Sequence, residues 1–381
     1  MAEVEKFMSV DAGDIEKIMG VETGDIEKVM GVEYPAGGPA WFGVTGLQFG
    51  GNHYYWEPDD DPPVSNEDFV DEIQYKTIGS SSNAQDFGDI ASGGRDNSGG
   101  VVTGNGSATA VLNGCRASGS AYNTDMDYIT VGTTANSQDF GNKTVATDTG
   151  SFMSNGTLGF ITGGEEAGAS YTAYQSYHAI ASTGNMADAG DAKAKREVMS
   201  VSGDTRGATG GGSIASGGSG NMYKDVEFIT FHTTNNSATF GDMTNQGWGS
   251  MGLESQTRWI LNNGYYYADG EGSTYRRNQD YFTADSEGNA SDFGDDTLAY
   301  EMNGSSNGTR GEIWGGYIDA AYIAGTNYNN SGREEIRYVT IASAGDSQDT
   351  GGLMRVNYVG WGNTAGRIIG ALLGNAGGSG T

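Results

Sequence analysis

The chain has a single cysteine, Cys115, and five prolines among its 381 residues. One thiol cannot form an intrachain disulfide, so packing and hydrogen bonds must hold the fold. Three histidines, His53, His178 and His232, do not cluster with Cys115 in sequence, and no zinc-ligand spacing, P-loop or nucleophile elbow is present. Basic residues are scarce: 20 Lys and Arg stand against 49 Asp and Glu, a formal net charge of -29. Such a chain repels nucleic acid and anionic membranes, and the plain meaning of the charge is solubility. No apolar run is long enough to span a bilayer, and residues 1–30 lack the basic, apolar, small-residue order of a signal peptide. The expectation is folding in a cytoplasm without membrane insertion. Asp59-Asp60-Asp61 is an acidic run without calcium-ligand spacing, followed by Pro62-Pro63, so no metal is expected there and no cofactor elsewhere.

What the chain has is glycine, 65 residues, and tyrosine, 21 residues. Glycine-rich and proline-poor, with abundant Tyr, describes short strands joined by tight turns. One stretch keeps returning. Asn83-Ala84-Gln85-Asp86-Phe87-Gly88 is repeated as Asn136 to Gly141, Asn236 to Gly241 and Asn289 to Gly294, and more weakly as Asn185 to Gly190 and Asp346 to Gly351. The closing glycines are 53, 49, 51, 53 and 57 residues apart. A period near 50 residues governs the architecture before any local reading.

Before that array, residues 4–33 carry a second repeat of period 11: Val4-Glu5-Lys6-Phe7-Met8, Ile15-Glu16-Lys17-Ile18-Met19 and Ile26-Glu27-Lys28-Val29-Met30. Asp14 and Asp25 stand where helix N-caps would be, Gly20 and Gly31 where C-cap glycines would be, so each unit reads as one helical turn followed by an extended Val-Glu. One turn is unstable alone. The apolar face of Ile15, Ile18, Met19, Ile26, Val29 and Met30 must therefore pack on something else, and residues 1–33 are read as an anchoring segment. Residues 34–72 read as a linker enclosing a hairpin at 41–51.

From residue 73 four elements recur. An alternating aromatic and β-branched strand comes first, as in Asp127-Tyr128-Ile129-Thr130-Val131; the third copy lacks an obvious one. The Asn-x-x-Asp-Phe-Gly stretch follows, then a short Gly/Ser strand such as 150–154. Last is a strand ending at glycine and often opened by arginine, as at Arg206, Arg258 and Arg310. Four short strands per repeat of this length make a propeller blade. The order of elements, with Gly163-Gly164, Gly210-Gly211 and Gly315-Gly316, resembles the kelch repeat. The fuller pattern is similar to kelch-like repeats of marine bacteriophage structural proteins, cyanophages included, and the N-terminal tandem resembles segments of phage virion proteins. The resulting expectation is all-β: a six-bladed kelch-like β-propeller over 73–370, preceded by the repeat segment and followed by a glycine-rich tail at 371–381. The ring is expected to close with an inner pair at 358–361 and 367–370 joining the first unit. The 41–51 hairpin would then be surplus, or would make the ring seven-bladed.

Ser137-x-Asp139-x-Gly141 looks like an incomplete Asp-box without its closing aromatic, and reads as a turn lock. Arginines that recur once per blade at a strand start do not make a sialidase cluster, and a kelch-type copper oxidase would need more His and a Cys–Tyr crosslink. The chain is therefore not read as an enzyme. The connections after each Gly-Gly are long and Tyr-rich and should open on one face of the ring. They carry Tyr171, Tyr174 and Tyr177, then Tyr266 and Tyr275, then Tyr322, Asn327 and Tyr328. Tyr offers apolar area at low entropy cost plus a hydroxyl, which suits sugar or protein recognition. The resemblance implies a virion protein, a tail fibre or tail-associated adhesin. Residues 1–33 would dock on other virion proteins, and the Tyr face would meet a host surface glycan or protein. Alternatives are a purely structural decoration or adaptor protein and a glycan-cleaving propeller enzyme.

Overall fold

The computed structural model describes 45–57, 64–92, short strands between 95 and 117, and most of 121–354, with gaps that include 196–197, 215–221, 298–301 and 319–330. It also describes four two-residue strands before residue 34 and the strand Thr364–Gly366. Six four-stranded antiparallel sheets form a six-bladed β-propeller, and no helix occurs among the described residues. Blade 1 runs, from axis to rim, Thr364–Gly366, Thr45–Glu57, Val64–Thr77 and Gln85–Asp89. The other five are continuous in sequence, beginning at Val102–Gly104, Ser151–Ser154, Met199–Ser202, Gly252–Glu254 and Asn303–Ser306, and ending at the rim strand Gln348–Leu353 of blade 6.

The second half of the expected surplus hairpin belongs to the ring, within the strand Thr45–Glu57; residues 41–44 lie outside the described residues. Thr45 to Phe49 pair with Thr77 to Ile73 in the register that second and third strands use in every blade. Strand residues therefore occupy much of the segment read as a linker. Near its end the chain contributes the strand Thr364–Gly366 to blade 1, and the expected inner pair at 358–361 and 367–370 lies outside the described residues. No seventh blade is needed. The N-terminal repeats also differ. Lys17 and Ile18 pair with Glu22 and Val21, and Lys28 and Val29 pair with Glu33 and Val32, so the second and third units form hairpin pairs where helical turns were expected; the first unit lies outside the described residues. A two-residue loop with glycine is a hairpin signal, and that reading of Gly20 and Gly31 displaces the C-cap one. Ile18 and Val29 lie in these strands; Ile15, Met19, Ile26 and Met30 lie outside the described residues.

Second strands such as Leu158–Thr162 and Arg258–Asn262 are buried along nearly their whole length, as befits a sheet sandwiched between two others. The recurring hexad explains the rim. Its Phe is an extra residue in the outer strand: Met126 faces Gly141 and Asp127 faces Asp139, leaving Phe140 at a bulge. The bulge turns the ring inward, where Phe87, Phe140, Phe240 and Phe293 are buried. Tyr75, Tyr128 and Tyr281 meet the same blade's Phe edge to face, at centroid distances of 5.7, 6.0 and 6.2 Å.

The hexad's first residue reaches back to the preceding blade. Asn136 Oδ1 accepts from the Asp89 amide at 3.1 Å, Asn185 from Asn142 at 3.0 Å, Asn236 from Asp191 at 3.0 Å and Asn289 from Asp242 at 3.1 Å. Asp346 accepts from Asp295 at 2.9 Å, and Asn83 closes the circle by accepting from Leu353 at 3.1 Å. The residue after each Asn or Asp donates its amide to the carbonyl of the same partner, as Ser137 does to Asp89 and Ala84 to Leu353. This paired latch joins all six seams and covers part of each outer edge. It also explains the glycine. A Cβ on Gly88 would lie 2.5 Å from the Ala135 carbonyl oxygen, and one on Gly241 would collide with that of Gly288. In the sixth repeat the outer strand holds one more residue, and the close approach falls on Gly352, against Ser82, instead of Gly351. The expected turn lock by Asp occurs in the two copies without Phe: Asp188 and Asp349 accept from the amides of Gly190 and Gly351.

Arginine at the start of a second strand stacks on the third-strand aromatic of its own blade: Arg206 on Phe228, Arg258 on Tyr281, Arg310 on Tyr338. Arg206 and Arg258 also reach the next blade, at Glu287 and at the Ile341 carbonyl, which is the structural role expected. Near the axis a second belt runs between inner strands. The Ser154 amide donates to Ser202 Oγ at 3.1 Å and the Glu254 amide to Ser306 Oγ at 3.0 Å. Glu254 occupies the serine position, and the Ser202 amide faces its carboxyl without reaching hydrogen-bond geometry. Burial pushes that carboxyl well above the usual range.

His178, on the third strand of blade 3, packs edge to face on Phe140 of blade 2 at 5.0 Å. Burial pushes its imidazole down to about 4. The unfolded chain takes up this proton near pH 6.5 and the folded chain only near 4, so the contribution is full above 6.5 and lost as pH falls through that window. The loss should reach about 3 kcal/mol at pH 4. Denaturant titrations of the wild type and His178→Gln between pH 4 and 7 should show this limb only in the wild type; equal slopes would refute it.

Candidate recognition face

The two ends of the ring are unlike. At one end the first-to-second connections are tight, spanning 155–157, 203–205, 255–257 and 307–309 between strand ends. Asn155 and Asn307 brace two of them by accepting from the amides of Leu158 and Arg310, at 2.9 and 2.8 Å. At the other end the second-to-third connections bear additional pairing in every blade. Blade 1 extends its hairpin out to Glu57 and Val64. Blade 2 adds Arg116–Ala117 with Ala121–Tyr122, and blade 3 adds Glu165–Glu166 with Ser170–Tyr171. Blade 4 has the Ser213–Met222 bridge, blade 5 Tyr265–Ala268 with Gly272–Tyr275, and blade 6 Tyr317–Ile318 with Ser331–Gly332. Connections between blades join in: Arg95–Asp96 and Thr147–Asp148 extend the inserts of blades 2 and 3. The Gly-Gly at the foot of these inserts admits the neighbouring connection, since the Lys195 carbonyl oxygen lies 2.6 Å from where a Gly163 Cβ would be.

Of the expected residues, Tyr171 lies on this face, in register with Glu165 and half-buried. Tyr174 and Tyr177 lie in the third strand of blade 3, Tyr174–Ala179, which is the aromatic strand not apparent in the sequence. Tyr177 stacks on Phe160 at 5.7 Å inside the ring, and burial raises the Tyr174 phenol above its ordinary range. Tyr266 and Tyr275 fall in the blade 5 hairpin, on facing strands. Tyr322, Asn327 and Tyr328 lie outside the described residues.

The face also gathers residues not singled out in the sequence. Tyr122 Oη is 3.4 Å from Glu165 Oε1, beside Tyr171. At the seam of blades 3 and 4, Lys193 Nζ sits 3.9 Å above the Tyr223 ring, and Lys193 and Lys195 both pair with Asp225, at 3.2 and 2.7 Å. Burial works against charge on both sides of that pair. It draws Lys195 down, whereas at Asp225 the two lysines outweigh it and hold the carboxyl below its usual range. Tyr223 sits in the Gly-Gly connection of blade 4, so its position was available as a signal, but a single Tyr there does not stand out.

The chain shares its fold with YjhT. That propeller protein aligns over 80% of this chain and 97% of its own, with a TM-score of 0.57 and 10% sequence identity. No protein-family model matches the chain, and neither does any curated protein. At this identity the likeness speaks for the fold alone. No cluster of three or more metal-ligating side chains occurs among the described residues.

Proposed function

We propose that this protein is a virion component of a bacteriophage, a tail-associated adhesin with kelch-like blades. Its elaborated face recognises a host surface glycan, and its N-terminal hairpins dock on neighbouring virion proteins. The observation that carries the recognition part is the unlikeness of the two ends: every blade invests its additional backbone at one end, where Tyr122, Tyr171 and Tyr223 stand. Variation concentrated in loops on a rigid scaffold is how binding surfaces are built. The virion part rests on the resemblance of both repeats to phage proteins. Hairpins with two-residue strands are unstable in isolation and need a partner surface, which supports docking.

The test is binding of the fluorescently labelled full-length chain to an array of bacterial surface polysaccharides. Saturable binding is expected, weakened at least tenfold by Tyr171→Ala or Tyr266→Ala. No binding to any polysaccharide, or binding indifferent to both changes, would refute the reading.

A further inference from the structure

Blade 5 departs from its neighbours at the foot of the Tyr265–Tyr275 hairpin. Where the second strand ends, blade 4 pairs Gly210 with Val226 and blade 6 Trp314 with Ile336, blade 1 pairs Phe49 with Ile73, blade 2 Asn113 with Met126, and blade 3 the buried Thr162 with Gln175. Blade 5 places Asn262 opposite Gln279, both fully buried. Asn262 Nδ2 donates to Asp296 Oδ2 at 3.2 Å, and Arg337 of blade 6 grips the same carboxylate through Nε at 2.7 Å and Nη2 at 3.0 Å. Ser347 Oγ donates to the other oxygen of Asp296. Around this satisfied pair stands a ring of unsatisfied atoms. Asn262 Oδ1, both ends of the Gln279 amide, Thr297 Oγ1 and Arg337 Nη1 are buried without a hydrogen-bond partner. Arg337 Nη1 is 3.7 Å from Glu335, beyond hydrogen-bond reach. Buried polar atoms are nearly always paired, and these orphans, on residues that grip Asp296, pair with one that does or follow Asp296 in sequence, call for a further partner.

We infer that this cluster is a polar subsite of the recognition face, taking the neutral, hydroxyl-bearing end of a sugar, a vicinal diol or hydroxymethyl group. The chemistry selects that class. Asp296 and Arg337 neutralise each other, so no net charge is left to hold an ion. The orphans mix donors and acceptors, and a hydroxyl does both. The position relates it to the face: Asn262 and Asn278 flank the hairpin whose strands carry Tyr265 to Ala268 and Gly272 to Tyr275, so the cluster lies at the foot of that hairpin. An apolar pair such as the neighbouring blades use would fill the seam without orphans. This assignment rests on the glycan reading of the face and names which blade confers selectivity.

The experiment uses the full chain and saturation-transfer-difference NMR with free glucose, galactose, mannose and N-acetylglucosamine as probes, on the wild type and on Gln279→Leu and Asn262→Leu/Gln279→Leu. At least one monosaccharide should give transfer in the wild type. Its affinity should fall at least tenfold in both variants, with unfolding midpoints held or raised. Transfer that survives the substitutions overturns the subsite, as does the absence of transfer from all four sugars. Either result leaves polysaccharide binding on the array to decide the wider reading separately. The single variant, one amide exchanged for an isobutyl group, keeps the comparison open if the double variant fails to fold. Crystals of the wild type soaked in the responding sugar should show it against Gln279; density for water alone there would also refute the proposal.

Discussion

Glu312→Ala should cost the ring about 3–5 kcal/mol, the effect of leaving a buried charge without its partner. Lys76 of blade 1 and Glu312 of blade 6 meet at the seam where the ring closes, Nζ to the two carboxyl oxygens at 2.9 and 3.0 Å, both side chains fully buried. The Gly79 amide also donates to Glu312 at 2.9 Å, and Arg310 Nε stands 3.4 Å away. Burial disfavours the lysine's charge and draws its pKa down, and Glu312 works in the other direction. Alanine at 312 removes that counterweight and opens a void. The double variant Lys76→Met/Glu312→Leu should regain part of the loss, because no buried charge is left at position 76; the Gly79 amide and Arg310 still lose their acceptor. Urea denaturation of wild type, single and double variants measures this. A single-variant loss under about 1 kcal/mol would show that water or a neighbour satisfies Lys76.

The second large effect separates two adjacent glycines. Gly352→Ala should cost about 3 kcal/mol or more, because its Cβ would run into the Ser82 carbonyl oxygen across the closing seam. Gly351→Ala should cost about 1 kcal/mol: its φ is +77°, but nothing lies within 4 Å of the added methyl. Gly241→Ala should behave like Gly352→Ala, since the Gly288 carbonyl occupies its space; Gly288→Ala, with open space, should be near neutral. Thermal melts of the four variants give the order. Equal losses at 351 and 352 would mean that the sixth latch is not shifted by one residue.

The period of the array and its six units were plain in the sequence, because an alternating strand and an Asp-Phe-Gly turn each leave a local mark. The latch was not. Asn136 bonds a residue 47 positions earlier, in the previous repeat, and nothing near Asn136 in sequence announces that partner. The stretch Leu47 to Gly51 reads in sequence as half of a hairpin. Its place in the ring depended on knowing that the chain returns only one described strand to blade 1. Blade 3 hid its aromatic strand because Tyr174 and Tyr177 follow a Tyr-rich connection and were counted with it. On the candidate face, Tyr171 was legible from its setting, whereas Lys193 and Tyr223 come together only when two blades are side by side. Asn262 and Gln279 look ordinary in sequence; their oddity appears only against the residues that other blades place at the same level.

The strand that begins at Thr45 and the strand that ends at Gly366 both belong to blade 1, joined where Thr364, Ala365 and Gly366 pair with Tyr54, His53 and Asn52. A pull between the two sides of the chain would therefore load one three-residue ladder while the other five blades carried no tension. If load enters through the Thr364–Gly366 strand while the face grips a surface, that ladder is the mechanical fuse. The rim latch between Leu353 and Asn83 and the buried Lys76–Glu312 pair are the clasps left to keep the disc from opening after the fuse has gone.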